Sequence, residues 1–230
     1  MKSAINARLL CAAEFVRQNA TLADIGTDHA YLPLFLLDEG RIERAFCCDI
    51  NEGPLASARK NAEERAHLDK TEFVLTDGAS VLADRGITDY AICGMGGELI
   101  ADIIDRAPHL KDGSLNLILQ PMSKQEKLRE YLVGAGFDIL AESYSLDAGK
   151  YYVCMQAKYV GQGREISAIE SIAGLATSKY IGEDKRTIYL EKKLKSLRRM
   201  AEGRRAGGED SSEDERLVSQ LTKYLTKELL

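Results

Sequence analysis

The chain has 230 residues and a mass of 25.4 kDa, with 45% hydrophobic residues, 29% charged residues and a formal net charge of -5. That is enough for one core domain plus an accessory segment and too little for two ordinary enzyme domains, and the apolar fraction excludes a wholly disordered or collagen-like chain. The cysteines number five and none stand in a CxxC spacing, so a disulfide framework or a structural zinc site is not expected, and reducing cytoplasm is the default setting.

The opening residues, MKSAINARLLCAAEFVRQN, carry Arg8, Glu14 and Arg17 inside an apolar pattern. This predicts an amphipathic helix and not a signal peptide. No run approaches the roughly 18 uninterrupted apolar residues of a membrane span. Residues 21–25 read as a buried strand ending in a Gly/Asp turn, and 31–38 as a short helix. A second strand follows at 44–50, then a helix at 54–68 with Pro54 in its first turn, where the missing N–H costs nothing. Strands at 72–75 and 90–93 come next, the latter running into glycines and a helix to about Arg106. A fifth strand at 115–120 precedes a helix at 123–135 closed by Gly136. Two last strands, 139–144 and 151–159, are joined by a short turn at 147–150 and form an antiparallel pair. Near-continuous apolar strands separated by helices predict a parallel α/β sheet covered on both faces. Seven strands with the last inserted antiparallel is the layout of the Rossmann-like methyltransferase fold; a dinucleotide-binding Rossmann domain usually lacks that hairpin.

The glycines at 161–163 mark the expected boundary between a body, 1–160, and a helical tail, 161–230. Helices are predicted at 165–180, 183–205 and 214–230. Leu190, Leu194, Leu197 and Ala201 make a narrow seam of coiled-coil type, matched by Leu217, Leu221 and Leu225 across a turn in which Ser212 and Glu215 fit a capping box. The seam is short, so an internal antiparallel hairpin and a monomeric chain are expected. Charge divides the same way. The tail holds 14 basic and 12 acidic residues and the body 17 and 24. Nine of the basic residues, including Lys185, Arg186, Lys192, Lys193, Lys195, Arg198 and Arg199, fall within 185–205. This stripe is either a grip for an acidic partner or an ordinary solvated helix face.

In open parallel sheets, ligands bind beyond the carboxyl ends of the strands, and four clusters stand there. ADIGTDHA (23–30) offers Gly26 for a bend and Asp24 and Asp28 as carboxylates. It lacks the second and third glycines of a GxGxxG fingerprint, and its carboxylates would repel a pyrophosphate. They suit S-adenosylmethionine, which carries an ammonium and a sulfonium and no phosphate, although an ordinary strand-to-helix turn also uses these residues. Asp49 can accept from both hydroxyls of a ribose, or can cap the next helix with Asn51. Asp77-Gly78 is either an adenine site or a simple turn. Cys93-Gly94-Met95-Gly96-Gly97-Glu98 lets the backbone approach a ligand closely and lacks the Asp/Asn-Pro-Pro-aromatic loop of many exocyclic-amine methyltransferases. Gln120, after the fifth strand, can reach a base edge. His29, His67 and His109 make no metal constellation by spacing, and no metal is expected.

ADIGTDHAYLP (23–33), CDINEGPLASARKNA (48–62), TDGAS (76–80), CGMGGELI (93–100) and LQPMSKQEKLREYL (119–132) resemble the bacterial tRNA (adenine-22-N1)-methyltransferase family over the whole body. The tail is similar to that family's C-terminal coiled-coil domain. The resemblance implies methyl transfer from S-adenosylmethionine to N1 of an adenine in tRNA. On this sequence it implies that Asp24, Gly26 and Asp28 line the methionine end, Asp49 with Asn51 the ribose, and Asp77-Gly78 the adenine. Met95, Gly96 and Gly97 would border the methyl and the target base, and Asp28, His29 and Tyr31 would hold that base as the catalytic group. Lys192, Lys193, Lys195, Arg198, Arg199 and Gln120 would contact tRNA. Other readings are a methyltransferase for protein or small molecules, or a non-enzymatic RNA-binding sensor that keeps an adenosyl pocket.

Overall fold

Four consecutive residues of the first strand, Leu22 to Ile25, are all buried. Side chains alternate across a strand, so this run needs cover on both faces of its sheet. The computed structural model, which describes residues 5–228, supplies it. Strands β1 (Ala20–Ile25), β2 (Ile42–Asp49), β3 (Thr71–Leu75), β4 (Asp89–Gly96), β5 (Asn116–Ser123), β6 (Phe137–Asp147), β7 (Lys150–Tyr159) and β8 (Lys179–Ile181) form one sheet in the order β3-β2-β1-β4-β5-β7-β6-β8. The pairings from β3 through β5 are parallel, and β7 runs antiparallel to both β5 and β6. Helices α1 (Ala7–Phe15), α2 (Tyr31–Asp38) and α3 (Glu52–Glu64) cover one face through Ala12, Phe15, Leu34 and Ala58, against Leu22, Ala45, Ala91 and Ile118. Helices α4 (Gly97–Asp105) and α5 (Gln125–Gly134) cover the other through Ile100, Ile104, Leu128 and Leu132, against Ala23, Phe46, Ile92 and Leu117. The chain builds outward from β1 in one direction and from β4 in the other. The crevice between their carboxyl ends is therefore the switch point of the sheet.

The tail departs from the sequence reading in three ways. The helix expected over 165–180 is the short α6 (Ala168–Ala173), capped reciprocally by Ser167 and Glu170, followed by the eighth strand, which pairs in parallel with β6. Gly174 takes φ 101, a conformation closed to L side chains. Beyond it, Thr177 and Ser178 donate their backbone N–H groups to the carbonyls of Ile139 and Leu140, so the segment joins the sheet edge. Second, helices α7 (Glu183–Ala206) and α8 (Ser212–Glu228) pair as a hairpin, but their seam is not a free-standing coiled coil. Leu190, Leu194, Leu221 and Leu225 belong to the same apolar core as Ile139, Tyr144 and Val153 of the sheet. Third, the turn into α8 is held one residue earlier than expected: Asp210 accepts from the Ser212 N–H, and the Ser211 hydroxyl donates to Glu215. Leu229 and Leu230, and residues 1–4, lie outside the described residues.

Polar bonds also join tail to body. Arg129 of α5 and Glu142 of β6 are both fully buried and share two bonds, at 2.8 and 3.0 Å. Arg129 also donates to the carbonyl of Ser171 in α6, and Glu142 accepts from the Tyr144 hydroxyl and the Leu175 N–H. Arg186, counted in the basic stripe, is buried: its guanidinium lies 3.9 Å from the Tyr180 ring centre and donates to the Ala173 carbonyl. Cutting the chain after Tyr159 would strip these partners from Arg129 and Glu142 and so disturb the body's own core. Replacing Arg129 with Leu leaves Glu142 buried and short of its main partner. Urea unfolding is expected to show a loss of about 3–5 kcal/mol, much of it recovered in the Arg129→Leu/Glu142→Leu double variant.

Candidate active site

Asp24 is the penultimate residue of β1, with only 7% of its surface exposed. Its carboxylate accepts a 2.7 Å bond from the Thr27 hydroxyl. Burial pushes its pKa up to about 6, against the opposing effects of that bond and of the nearby Arg8 charge. The chain then turns at Gly26, φ 75, and the N–H groups of Gly26 and Thr27 both donate to the Cys48 carbonyl at 2.8 Å, closing the loop onto β2. The positive φ favours glycine, and the flexible Met95 side chain takes the space a Cβ would fill, its methyl 2.0 Å from that position.

Two chambers meet at Gly26. The first, about 310 Å³, is lined by Asn6, Arg8 and Leu9 from the N-terminal segment together with Asp24, Asp28, Tyr31, Cys93 and Gly94. The second, about 260 Å³, is bounded by Asp49, Ile50, the Thr76–Asp77–Gly78 turn, Met95, Leu99, Ile103 and Arg106. Each chamber carries one guanidinium and two carboxylates, Arg8 with Asp24 and Asp28 in the first and Arg106 with Asp49 and Asp77 in the second. The first is mainly polar in its lining; in the second Arg106 is paired with Asp77 and the walls are mainly apolar.

Most of the residues read from sequence converge here. Asp28, His29 and Tyr31 form a cluster at the mouth of the first chamber: the His29 Nε2 is 3.2 Å from an Asp28 carboxylate oxygen, and its ring stacks on Tyr31 at 5.2 Å. His29 and Ala30 both have positive φ, 60 and 56, in the turn that starts α2, and Asn61 pins the His29 carbonyl with a 2.9 Å bond. Asp28 and Tyr31 line the chamber; His29 stands behind them. Asp49 accepts from the Asn51 N–H at 2.8 Å, so it organises the start of α3 while bordering the second chamber. Asn51 itself is exposed and lines neither chamber. The Asp77 carboxylate receives Arg106 at 2.8 Å, and Gly78 is buried against Ile103.

Two expectations are corrected. Gly96 and Gly97 line neither chamber; a Cβ on Gly97 would lie 2.3 Å from the Lys124 carbonyl, so Gly97 lets α4 pack against the loop after β5. Met95 lies over Gly26 and lines the second chamber at its boundary with the first. Gln120 is fully buried, and its carbonyl oxygen accepts from Arg8 at 2.5 Å and from the Gly94 N–H at 3.2 Å. It positions those two groups and has no free edge for a base. Among the stripe residues, Lys192, Lys195, Arg198 and Arg199 are exposed, whereas Lys193 is tied to Glu126 of α5. The residues missed from sequence are chiefly Arg8, Gly94 and the apolar walls Ile50, Leu99 and Ile103. A charge inside the apolar pattern of the first helix was the available signal for Arg8.

The comparisons agree with this geometry. A family model described as a methyltransferase domain matches residues 5–155. The tRNA (adenine(22)-N(1))-methyltransferase of Bacillus subtilis is 28% identical over 193 residues, covering 84% of this chain and 81% of its own. A candidate tRNA (m1A22) methyltransferase from Streptococcus pneumoniae, solved in complex with S-adenosyl-L-methionine, superposes with a TM-score of 0.79 at 30% identity over 95% of this chain and 99% of that one. The chain belongs to the bacterial tRNA (adenine-22-N1)-methyltransferase family. A Streptococcus agalactiae protein of the NADB-Rossmann superfamily matches equally fully, at TM-score 0.83, 30% identity and 98% and 99% coverage. Among the described residues no group of three or more His, Cys, Asp or Glu is arranged to hold a metal ion, and no helix is long and apolar enough to cross a membrane.

Gly26→Ala separates the two demands on this glycine. The backbone conformation costs about 1–2 kcal/mol for any L side chain, and the Met95 methyl must also move. Thermal and urea unfolding should show a loss at the upper end of that range or beyond, with only the steric part recovered in Gly26→Ala/Met95→Ala.

Proposed function

We propose that this chain transfers a methyl group from S-adenosylmethionine to N1 of adenine 22 in tRNA, giving 1-methyladenosine, and that it does so as a cytoplasmic monomer. The observation that carries the reading is the division of the crevice across Gly26 into a mainly polar chamber and a mainly apolar one with Asp49 at its border. The residues fit the cofactor at each point. Ile50, Leu99 and Ile103 form a slot for a flat adenine, with the Thr76–Gly78 turn at its edge. Asp49 stands at the end of β2 to accept from ribose hydroxyls. Asp24 and Arg8, in the same chamber, complement the ammonium and carboxylate of the methionine end.

Once bound, the cofactor supplies an electrophilic methyl on a sulfonium, which leaves as a neutral thioether. The chain's residues need little acid–base chemistry, because N1 of adenine already presents a lone pair. Their task is to hold that nitrogen in line with the methyl. N1 lies on the pairing edge of the base, so the adenine has to be turned out of the RNA to enter. Tyr31, 44% exposed and stacked against His29 at the mouth, offers a ring face to the extruded base. The methylated adenine is cationic, and the Asp28 carboxylate on the same rim favours the charge as it develops.

Nucleoside analysis of unmodified tRNA incubated with the chain and S-adenosylmethionine tests the whole reading: 1-methyladenosine at position 22 is expected, and transfer only to protein would refute it. Asp28→Asn should lower turnover about tenfold, the equivalent of about 1.4 kcal/mol, while leaving cofactor affinity within a fewfold; lost cofactor binding with intact turnover would make Asp28 a cofactor ligand only. Asp24 gives a pH signature. In the cofactor-free chain it holds a proton below about pH 6, and an ammonium is bound by its ionised form. Calorimetry should therefore show S-adenosylhomocysteine binding that weakens by up to about tenfold per unit as pH falls below that value and levels off above it. Asp24→Asn should abolish that dependence. Because its folded pKa lies above the unfolded 3.8, the same group should make the cofactor-free chain less stable as pH rises through about 6.

A further inference from the structure

A third cleft, of about 330 Å³, opens where the β6–β7 turn meets α7. Met122, Lys150, Tyr151, Tyr152, Lys192 and Lys193 line it. Its position follows from the sheet. Since β7 runs antiparallel to β5, the first residues of β7 lie at the carboxyl end of β5, on the same edge as the crevice. Met122 is two residues beyond Gln120, about 7 Å at the rise of an extended strand. Gln120 is the residue that holds Arg8 and the Gly94 N–H in the first chamber. The cleft therefore adjoins the place where the target base enters.

Its chemistry differs from that of the rest of the edge. The other side carries four carboxylates, Asp24, Asp28, Asp49 and Asp77, against two guanidiniums, Arg8 and Arg106, a net negative lining. Here Lys150 and Lys192 are exposed, while Lys193 is neutralised by Glu126. Lys192 is not loose: its ammonium sits over the Tyr151 ring, 4.4 Å from the centre, which aims it along the cleft. Tyr152 is half-buried, and Met122 is 43% exposed, giving an aromatic and apolar floor. A cation pair beside such a floor is the arrangement that binds one nucleotide of single-stranded nucleic acid, phosphate to ammonium and base to ring.

We propose that this cleft seats the nucleotide adjoining the target adenine, its phosphate between Lys150 and Lys192 and its base against Tyr152 and Met122. The inference rests on the reading of tRNA as substrate, and gives that RNA a direction of approach, over β5 and β7 and not over the acidic β1–β3 side. A base turned out of its stack needs its neighbour fixed, and this cleft fixes it.

The full-length chain tests this with two variants. Lys150→Gln/Lys192→Gln should bind unmodified tRNA about tenfold more weakly, with a plot of log affinity against log salt shallower by about 0.7, as for one single-strand phosphate contact. Tyr152→Ala should weaken tRNA binding about tenfold with an unchanged salt slope, and Tyr152→Phe should restore it. Calorimetric affinity for S-adenosylhomocysteine should match wild type throughout, which a damaged fold would not allow. If wild-type protein methylates tRNA but both groove variants bind it as tightly as wild type, the groove assignment falls alone. If only substitution of Lys195, Arg198 and Arg199 weakens binding, it falls as well. Failure of the wild-type chain to methylate any tRNA overturns the parent reading and this one together.

Discussion

A sheet buried on both faces leaves ligand chemistry little room except at its ends. Along β1, β4 and β5 most side chains meet apolar cover, the buried polar exceptions Asp89, Asn116 and Gln120 being hydrogen-bonded within the protein, and the carboxylates and glycines of the crevice stand at the carboxyl ends, where strands stop and helices have not yet begun. Strand order then selects among the ends. Only between β1 and β4 do consecutive loops diverge to open a crevice. Asp24 shows the tension at that edge, being close enough to the core for burial to raise its pKa and close enough to the crevice to face Arg8. The division into chambers, the placing of Met95 over Gly26 and the rim of Asp28 and Tyr31 all follow from this topology.

Much of this was legible in the sequence because the body obeys local rules. Period-two and continuous apolar runs placed seven strands to within a few residues, and the hairpin at 147–150 gave the antiparallel insertion. The glycine and aspartate clusters after β1, β2 and β3 lie on the loops that line the two chambers. What escaped depended on contacts distant in sequence. Arg8 reaches Gln120 across 112 positions, and no local pattern announces that pairing. Gly96 and Gly97 looked like ligand glycines, yet they line neither chamber, and Gly97 serves a helix packing against the Lys124 backbone. Helix-like spacing at Ile166, Ile169, Ile172 and Ala173 was real, but the conformation of Gly174 ended it, and the free edge of β6 captured the next residues.

The basic stripe shows a related limit. Composition counts charges without saying which are already answered. Arg186 is buried between tyrosines, Lys193, Arg204 and Arg205 face carboxylates, and the outward set shrinks to a few residues near Lys192 and Arg198. The cations best placed for a polyanion near the crevice include Lys150, which lies outside the stripe altogether.

The buried Arg129–Glu142 pair also bears on how such a protein can change over evolutionary time. Two of its further partners, the Ser171 carbonyl and the Leu175 N–H, belong to the first part of the tail. An exchange of C-terminal segments between genes would leave that pair inside the core without the donor and acceptor it relies on. Modular shuffling is thereby penalised at this junction, and the catalytic body and its helical extension are constrained to diversify in step.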